Sequence, residues 1–238
     1  FMFAAFQAFI QRLSQQETFT LGVVAAGQAI AGNQDLVGHS VSLLPLKMSI
    51  NSADPFSDHL KKVRGKILDA FDHQNYTLGA LVKKLKLPRE SSRQPIISVL
   101  FNLDSDFSQL NFGDLKVSTK AVPRNYETFD IFINLKPTNN GIFFEWIYNT
   151  DLFDQTTIQR RLKEFEVFLK GIVNTPEASI SKLPLLTEDE QQLLKSWNNT
   201  NGTYPQDICI HQLIEQQVDK TPYHTALVFK NEEYSYNQ

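Results

Sequence analysis

The stretch "FDIFINLKPTNNGIFFEWIYNTDLFDQTTI", residues 129–158, holds two alternating apolar segments and the beginning of an amphipathic helix. Successive side chains of a strand point to opposite faces, so this alternation predicts two strands that each bury one face. The "PTNNG" between them supplies turn residues, and we therefore predict an antiparallel hairpin. The alternating apolar residues are Phe129, Ile131, Ile133, Leu135, Ile142, Phe144, Trp146 and Tyr148.

A strand-to-helix joint, residues 149–154, follows the hairpin. Asp154 is a good N-cap residue, because its carboxylate can accept the free amides of a first helical turn. After it, Ile158, Leu162, Phe165, Leu169 and Ile172 recur at helical spacing. The polar side chains just before it either hold the strand end by hydrogen bonds to the backbone, which we favour, or belong to a functional site.

Further helix and strand signals precede the hairpin. Residues 18–26, "TFTLGVVAA", are β-branched and apolar, and Pro45 in the strand-like "SVSLLPLKMSI" argues for a sheet edge. "PIISVLFNLD", residues 95–104, is a continuous apolar run, as expected of a strand covered on both faces. These signals predict a mixed α/β domain. A first helix is predicted by Met2, Phe3, Phe6, Phe9, Ile10 and Leu13.

The amino-acid composition of the chain changes after Asn174. Small polar residues and prolines dominate, with one short helix predicted over residues 187–197. A fresh helix is predicted to begin near Cys209, and "TALVF" and "EEYSY" are typical of two strands. We interpret this region as a linker followed by part of a second domain.

Composition narrows the function class. Of the 238 residues, 42% are hydrophobic, and the formal net charge is −3, so no basic surplus indicates nucleic-acid binding. No apolar run approaches the roughly 20 residues of a membrane helix. One cysteine, Cys209, fits a reducing compartment, so we predict a cytoplasmic protein. The five histidines show no metal-ligand spacing, so no metal site is predicted.

Five stretches, taken in order, resemble condensation domains of nonribosomal peptide synthetases and the beginning of the adenylation domain that follows them. The first stretch contains a Gly-His pair followed by Leu-Pro-Leu-Lys. The second contains an Arg-x-x-Ser-Arg-x-Pro motif that precedes an apolar strand. The third is the joint, and the last two resemble the linker and the adenylation start. They read "GNQDLVGHSVSLLPLK", "HQNYTLGALVKKLKLPRESSRQPIISVLFNLD", "YNTDLFDQTTI", "LPLLTEDEQQLLKSWNNT" and "IHQLIEQQVDKTPYHTALVFKNEEYSYNQ".

The resemblance implies a fold and a division of the chain. It implies an α/β half-domain similar to chloramphenicol acetyltransferase, a mixed sheet with flanking helices, that forms one wall of a tunnel. Residues 1–180 are assigned to the C-terminal half of a condensation domain, 181–206 to the condensation–adenylation linker, and 207–238 to a truncated adenylation start.

The resemblance also implies a reaction and partners. Condensation domains form an amide bond between a carrier-bound acyl or peptidyl thioester and a carrier-bound aminoacyl acceptor. The implied partners are upstream and downstream carrier domains, the N-terminal half of the condensation domain and the adenylation domain, with neither nucleic acid nor membrane. The implied cofactor is 4'-phosphopantetheine on the carriers, while ATP and magnesium serve only the adenylation domain.

No catalytic residue is predicted in this chain. The family's His-His-x-x-x-Asp-Gly motif, whose second histidine serves as general base or positions the amine, belongs to the N-terminal half. No two histidines are adjacent here. We therefore predict that the parent protein is an amide-bond-forming enzyme and that the 238-residue chain alone is inactive.

Seven residues are candidate contacts by resemblance. His39 and Ser42 fall where the family often has Phe-Phe-Val-Asn, whose asparagine faces the tunnel, and with Asn149 and Asp151 they are assigned to the tunnel. Structural roles are the alternative and are favoured for His39, Asn149 and Asp151. His73, Arg89 and Arg93 are assigned to contacts with a carrier, since guanidinium groups suit phosphate. Structural roles are favoured for them as well: packing or capping for His73, and holding the loop before the buried strand for Arg89 and Arg93.

Two other functions stay open. The chain is either part of an enzyme or a non-catalytic platform that orients carrier and adenylation domains. A stand-alone acyltransferase that uses coenzyme A shares the fold, although the linker and the adenylation-like tail argue against it. An intact upstream histidine motif would favour the enzyme.

Overall fold

The computed structural model describes residues 1–27, 38–87, 93–104, 113–115, 122, 126–138 and 141–238. They form two compact units, Phe1–Glu188 and Asp189–Gln238. The first unit contains α1 (Met2–Ser14), β1 (Thr18–Ala26), β2 (Val41–Ser49), α2 (Phe56–Asp72), α3 (Leu78–Leu85), β3 (Val99–Leu103), β4 (Ile131–Thr138), β5 (Gly141–Tyr148), α4 (Gln155–Asn174) and a 3-10 turn (Ile180–Lys182). Next come α5 (Glu188–Trp197), which begins at the boundary, α6 (Ile210–Lys220), β6 (Thr225–Phe229) and β7 (Glu232–Ser235).

A five-stranded mixed sheet organises the first unit. Its order is β2-β1-β3-β4-β5, with β1, β3 and β4 parallel and the edge strands β2 and β5 antiparallel to their neighbours. The predicted mixed sheet with flanking helices is thus confirmed. The predicted hairpin is β4 with β5, in which Ile131 pairs with Tyr148. Pro45 lies in β2, the edge strand, as expected of a residue with no amide hydrogen to donate.

The main core lies between one face of the sheet and the helices α1, α2 and α4. Phe6 and Phe9 of α1 are fully buried and contact Phe165 of α4 and Trp146 of β5 edge-on or tilted. Aromatic pairs in this geometry contribute beyond the area they bury. Alternate residues of each strand supply the sheet side of the core, with Ile133 of β4 at 0% exposure.

The opposite face of the sheet carries a smaller apolar cluster. Ile97, Leu100 and Phe132 are buried there. A side chain at Gly22 of β1 would not fit this face, because a Cβ would lie 2.5 Å from Cγ2 of Ile97. Beyond the cluster, the face in front of β3, β4 and β5 forms a groove, described below.

Two local predictions need correction. The apolar run at residues 95–104 yields a strand only over Val99–Leu103, because the Ile97 amide bonds back to the Pro95 carbonyl and Ile96 has a left-handed φ of 70°. Asp154 is the N-cap of α4 as predicted, but its side chain makes no cap hydrogen bond. Burial of Phe165 and Ile172 against the core therefore anchors this helix more than the cap does.

The segment after α4 is fixed to the first unit. The Arg12 guanidinium donates to the carbonyls of Ile180 and Leu183, at 2.6 and 2.9 Å. Its partial burial lowers the Arg12 pKa by desolvation. The Ser181 amide donates to the Ser52 carbonyl at 2.8 Å, and Pro184 packs on Gly171 of α4.

The second unit is built differently. In it, α6 is capped by a reciprocal pair, Cys209 with Gln212, and β6 and β7 form an antiparallel hairpin. Neither α5 nor α6 has a buried residue. Within the described part of the chain, no helix has the length and hydropathy needed to span a membrane.

Candidate functional site

A groove of about 940 Å³ opens over β3, β4 and β5 on the face opposite the helices. Strand alternation explains its position: while Ile133 and Leu135 of β4 point into the core, Phe132, Asn134 and Lys136 point to the other side. Its walls also include Asn102, Asp104 and Glu145. One stretch of the groove is thus apolar and the other is polar.

Five side chains form what we call the polar network: Asn102, Asp104, Asn134, Lys136 and Glu145. The Asn102 amide donates to Asp104 Oδ1 at 2.7 Å and to Asn134 Oδ1 at 2.9 Å. The Asn134 amide donates to Asp104 Oδ2 at 2.8 Å and to Glu145 Oε2 at 3.4 Å. The Lys136 ammonium lies 2.7 Å from Glu145 Oε2. Each carboxylate is therefore held in place by neighbours from adjacent strands.

Strand pairing produces this arrangement. Asn102 of β3 is in register with Asn134 of β4, and Asn134 is in register with Glu145 of β5. Paired residues have their side chains on the same face at close range, and Lys136 reaches Glu145 along the diagonal. Asn134 is only 7% exposed, so its amide depends on these partners for its hydrogen bonds.

None of these five residues is among the site candidates that the sequence predicts. In the hairpin, Asn134, Lys136 and Glu145 are the polar alternates of the pattern, which a reader of the sequence assigns to a solvated face. One sequence signal could have indicated them. Asparagine is depleted in strands, yet Asn102 and Asn134 both lie within predicted strands, which favours a role other than strand formation.

The joint lies at the end of the groove, where Thr150 is one of the lining residues. Asn149 Oδ1 accepts from the Asp151 amide at 2.9 Å, and the Asn149 amide donates to the Asp130 carbonyl at 3.1 Å. The Asn149 carbonyl accepts from Leu152 and Phe153, both at 3.1 Å. Asn149 thus organises the turn into α4. Neither Asn149 nor Asp151 lines the groove, and contact of either with a substrate stays a prediction.

The other tunnel candidates lie apart from the groove. His39 is exposed, just before β2. Ser42 pairs with Ala25 on β2, and within the described ranges its buried hydroxyl oxygen has no hydrogen-bond partner. The structure does not bring these two side chains to the polar network.

The candidate carrier contacts have local partners. His73 ends α2, and its Nδ1 lies 2.8 Å from the Asp69 carbonyl oxygen. Arg93 lies 3.8 Å from Asp130, with its side chain 53% exposed. Arg89 lies outside the described residues. These partners are compatible with the structural alternatives, capping of α2 by His73 and a loop contact by Arg93. Contact of these residues with a carrier stays a prediction.

Other titratable groups do not extend the site. His59 of α2 is buried against α1, and desolvation lowers its pKa to about 4, helped by Lys62 and opposed by the Ala4 backbone and Asp54. It packs on Phe56 in the core and does not line the groove. Among the described residues, no three His, Cys, Asp or Glu side chains are grouped to hold a metal ion.

Comparison with known proteins identifies, along most of the chain, the family that the sequence motifs resemble. A family model described as "Condensation domain" matches residues 1–195. Gramicidin S synthase 2 of Brevibacillus brevis is 32% identical over 240 residues, covering 100% of this chain and 5% of that protein. Surfactin synthase subunit 1 of Bacillus subtilis (strain 168) is 30% identical over 239 residues, covering 100% of this chain and 7% of that protein. The chain thus spans less than a tenth of these relatives.

Solved structures share the fold. A four-domain nonribosomal peptide synthetase bound to AMP and glycine matches with a TM-score of 0.71 and 18% identity, over 99% of this chain and 19% of that one. The first condensation domain of the CDA synthetase matches with a TM-score of 0.63 and 20% identity, over 78% of this chain and 41% of that one.

Proposed function

This chain belongs to the condensation domain family, and we propose that it supplies one wall of the channel in which a nonribosomal peptide synthetase forms an amide bond. The bond would join a carrier-bound acyl or peptidyl thioester to a carrier-bound aminoacyl acceptor. One observation carries the proposal: the sheet face away from the helices holds a groove of about 940 Å³ with an ordered polar network. Its size is in the upper part of the range of ligand pockets, roughly 300–1,000 Å³.

The groove fits the arm that would deliver the substrates. Phosphopantetheine alternates amide groups with methylene segments, and the groove offers polar walls at Asn134 and apolar walls at Phe132 and Ile147. The arm would be attached to the carrier domains, not to this chain, and it would supply the reactive thioester. The contribution of this chain is to orient the arm and to limit the access of water.

The proton transfer is assigned to another segment. A general base must come within hydrogen-bond reach of the attacking amine. None of the described residues that line the groove is a histidine, and the family's adjacent histidine pair is absent from the sequence. The proposal therefore includes an N-terminal half that carries this motif, and it predicts no turnover by the present chain alone.

The division of the chain is part of the proposal. We assign residues 181–206 to the linker and 207–238 to the start of an adenylation domain, which alone would use ATP and magnesium. Support comes from the separate compact unit Asp189–Gln238 and from the resemblance of its sequence to adenylation domains. Carrier domains on both sides are the proposed partners. An exposed free thiol at Cys209 supports the cytoplasm as the compartment.

The test joins this chain to the upstream half encoded in its own gene and supplies donor and acceptor carriers that are both loaded. Formation of the carrier-bound amide, measured by mass spectrometry, supports the proposal if it requires both halves. Changing the second histidine of the upstream motif to alanine is the control and should lower the rate by about 10²–10⁴-fold. Product from the chain alone would contradict the proposal, and carrier binding without product would favour the platform.

A further inference from the structure

The hydrogen-bond inventory of the polar network limits what it can bind. An asparagine side chain has two N–H donors. Both donors of Asn102 are used, on Asp104 and Asn134, and both donors of Asn134 are used, on Asp104 and Glu145. The two amides therefore have no donor left for a ligand.

Asp104 keeps capacity to accept. An ionised carboxylate has about four acceptor sites on its two oxygens, and one on each oxygen is occupied by an asparagine amide. In the described ranges, no ion pair reaches Asp104, while Glu145 is already paired with Lys136 at 2.7 Å. Asp104 thus presents a rigid, half-buried negative charge to the groove, with its orientation fixed from two strands.

From this geometry we infer that the polar end of the groove is a specificity subsite for a substrate side chain that ends in a cation, an ammonium or a guanidinium. Such a group would donate to the open lone pairs of Asp104. This inference rests on the proposed function, because the side chain would belong to a residue delivered on a carrier arm. It adds a chemical class to a substrate that was otherwise unspecified.

Lys136 sets how strong this preference is. Its ammonium pairs with Glu145, so that among the described residues Asp104 is the one carboxylate of the network without an ion pair. Hydrogen bonds between ionised partners are about twice as strong as neutral ones and are strongest where water is partly excluded. Removal of the Lys136 charge should therefore increase the preference for a cationic side chain, whereas a purely structural Lys136 would leave it unchanged.

The test uses the 238-residue chain and two hydrolytically stable probes, the lysyl and norleucyl amides of aminopantetheine. The probes differ in the terminal ammonium. Calorimetry at low salt should show roughly tenfold tighter binding of the lysyl probe, as expected for a charge-assisted hydrogen bond. Asp104→Asn should abolish the preference, and Lys136→Met should enlarge it. Circular dichroism and thermal unfolding check that each variant is folded.

Asp58→Asn is the matched control, since Asp58 is an exposed carboxylate on α2 that pairs with Lys61 and should leave the preference intact. Equal affinity of the two probes overturns the inference while leaving arm binding, and so the proposed function, in place. A preference that survives Asp104→Asn assigns the selectivity elsewhere and also overturns it. Absence of binding by both probes contradicts the subsite in this chain, and the amide-formation assay then decides separately on the proposed function.

Discussion

The two faces of the five-stranded sheet use the same strands for different purposes. On β4, Ile133 and Leu135 are completely buried under the helices, whereas the residue between them, Asn134, holds two carboxylates in the groove. One face gains its stability from apolar area and aromatic contacts, and the other uses hydrogen-bonding capacity to fix the position of charges. The difference shows that a single strand can stabilise the fold with one set of residues and hold the polar side chains of a candidate site with another.

The largest effect is expected on the helix-covered face. Ile133→Ala should lower the free energy of unfolding by about 2–5 kcal/mol, because it removes buried methyl groups and leaves a cavity. Urea unfolding followed by circular dichroism measures this change. Ile142→Ala on β5 is the control, since that side chain is 45% exposed and its loss should cost at most about 0.5 kcal/mol. Ile142 lies on the same face but beyond the helices, so similar values for both variants would contradict the dependence of stability on burial under the helices.

Lowering the pH should reduce the free energy of unfolding, because His59 is buried on the helix-covered side. Its pKa is lowered from 6.5 to about 4 in the folded protein, so the unfolded chain binds this proton first as the pH falls. The contribution of His59 to stability is therefore complete above about pH 6.5 and is lost between pH 6.5 and 4, in total on the order of 3 kcal/mol.

The comparison of wild type with His59→Gln isolates this effect, because the carboxylates that titrate in the same range are common to both. The difference in unfolding free energy between the two proteins should shrink as the pH falls from 7 to 4. A constant difference would mean that His59 binds its proton at the same pH in the folded and the unfolded protein, and it would contradict the lowered pKa.

Close packing of α4 on the following segment predicts a glycine requirement. Gly171→Ala should destabilise the chain by about 1–3 kcal/mol, because the new Cβ would lie 2.4 Å from Cδ of Pro184. Gly65→Ala in α2 is the matched control, where the new Cβ would meet no atom within 4 Å apart from its chain neighbours and the backbone of its own helix, and it should stabilise by about 0.5–1 kcal/mol. Thermal unfolding of both variants tests the contrast, and a shift in the same direction for both would contradict the packing.

The smallest effect on stability is expected on the groove face. Asn134→Ala should cost about 1 kcal/mol, because the carboxylates that it held can turn to water in the groove. A cost equal to that of Ile133→Ala, measured in the same urea series, would show that Asn134 is part of the core and not of a site.

Local patterns predicted much of the fold. The alternation in residues 129–148 indicated the hairpin, and Pro45 indicated the edge strand, because both signals depend on neighbours within a few residues. The burial of α1 was harder to predict. The pattern gave one apolar face, yet Gln7 and Gln11 are also buried, since α2 and α4 both contact α1.

Local sequence patterns could not predict the polar network, and the reason is physical. Asn102 and Asn134 are brought together by the parallel pairing of β3 with β4, across 32 positions of sequence. No periodicity encodes such pairing, so the individual asparagines could be noticed but their contact could not. The resemblance to the family pointed instead to Asn149 at the joint and Ser42 on β2, neither of which belongs to the network.

The bonds from Arg12 to the carbonyls of Ile180 and Leu183 have a practical meaning for chain engineering. They fix the beginning of the connection to the second unit at one point on the first unit. An insertion before Pro184 would disturb these hydrogen bonds or the packing of Pro184 on Gly171, whereas an insertion after Leu185 would lengthen the connection to the second unit without disturbing either. A fusion that replaces everything downstream should therefore keep the chain intact through Leu185, which also packs against the core.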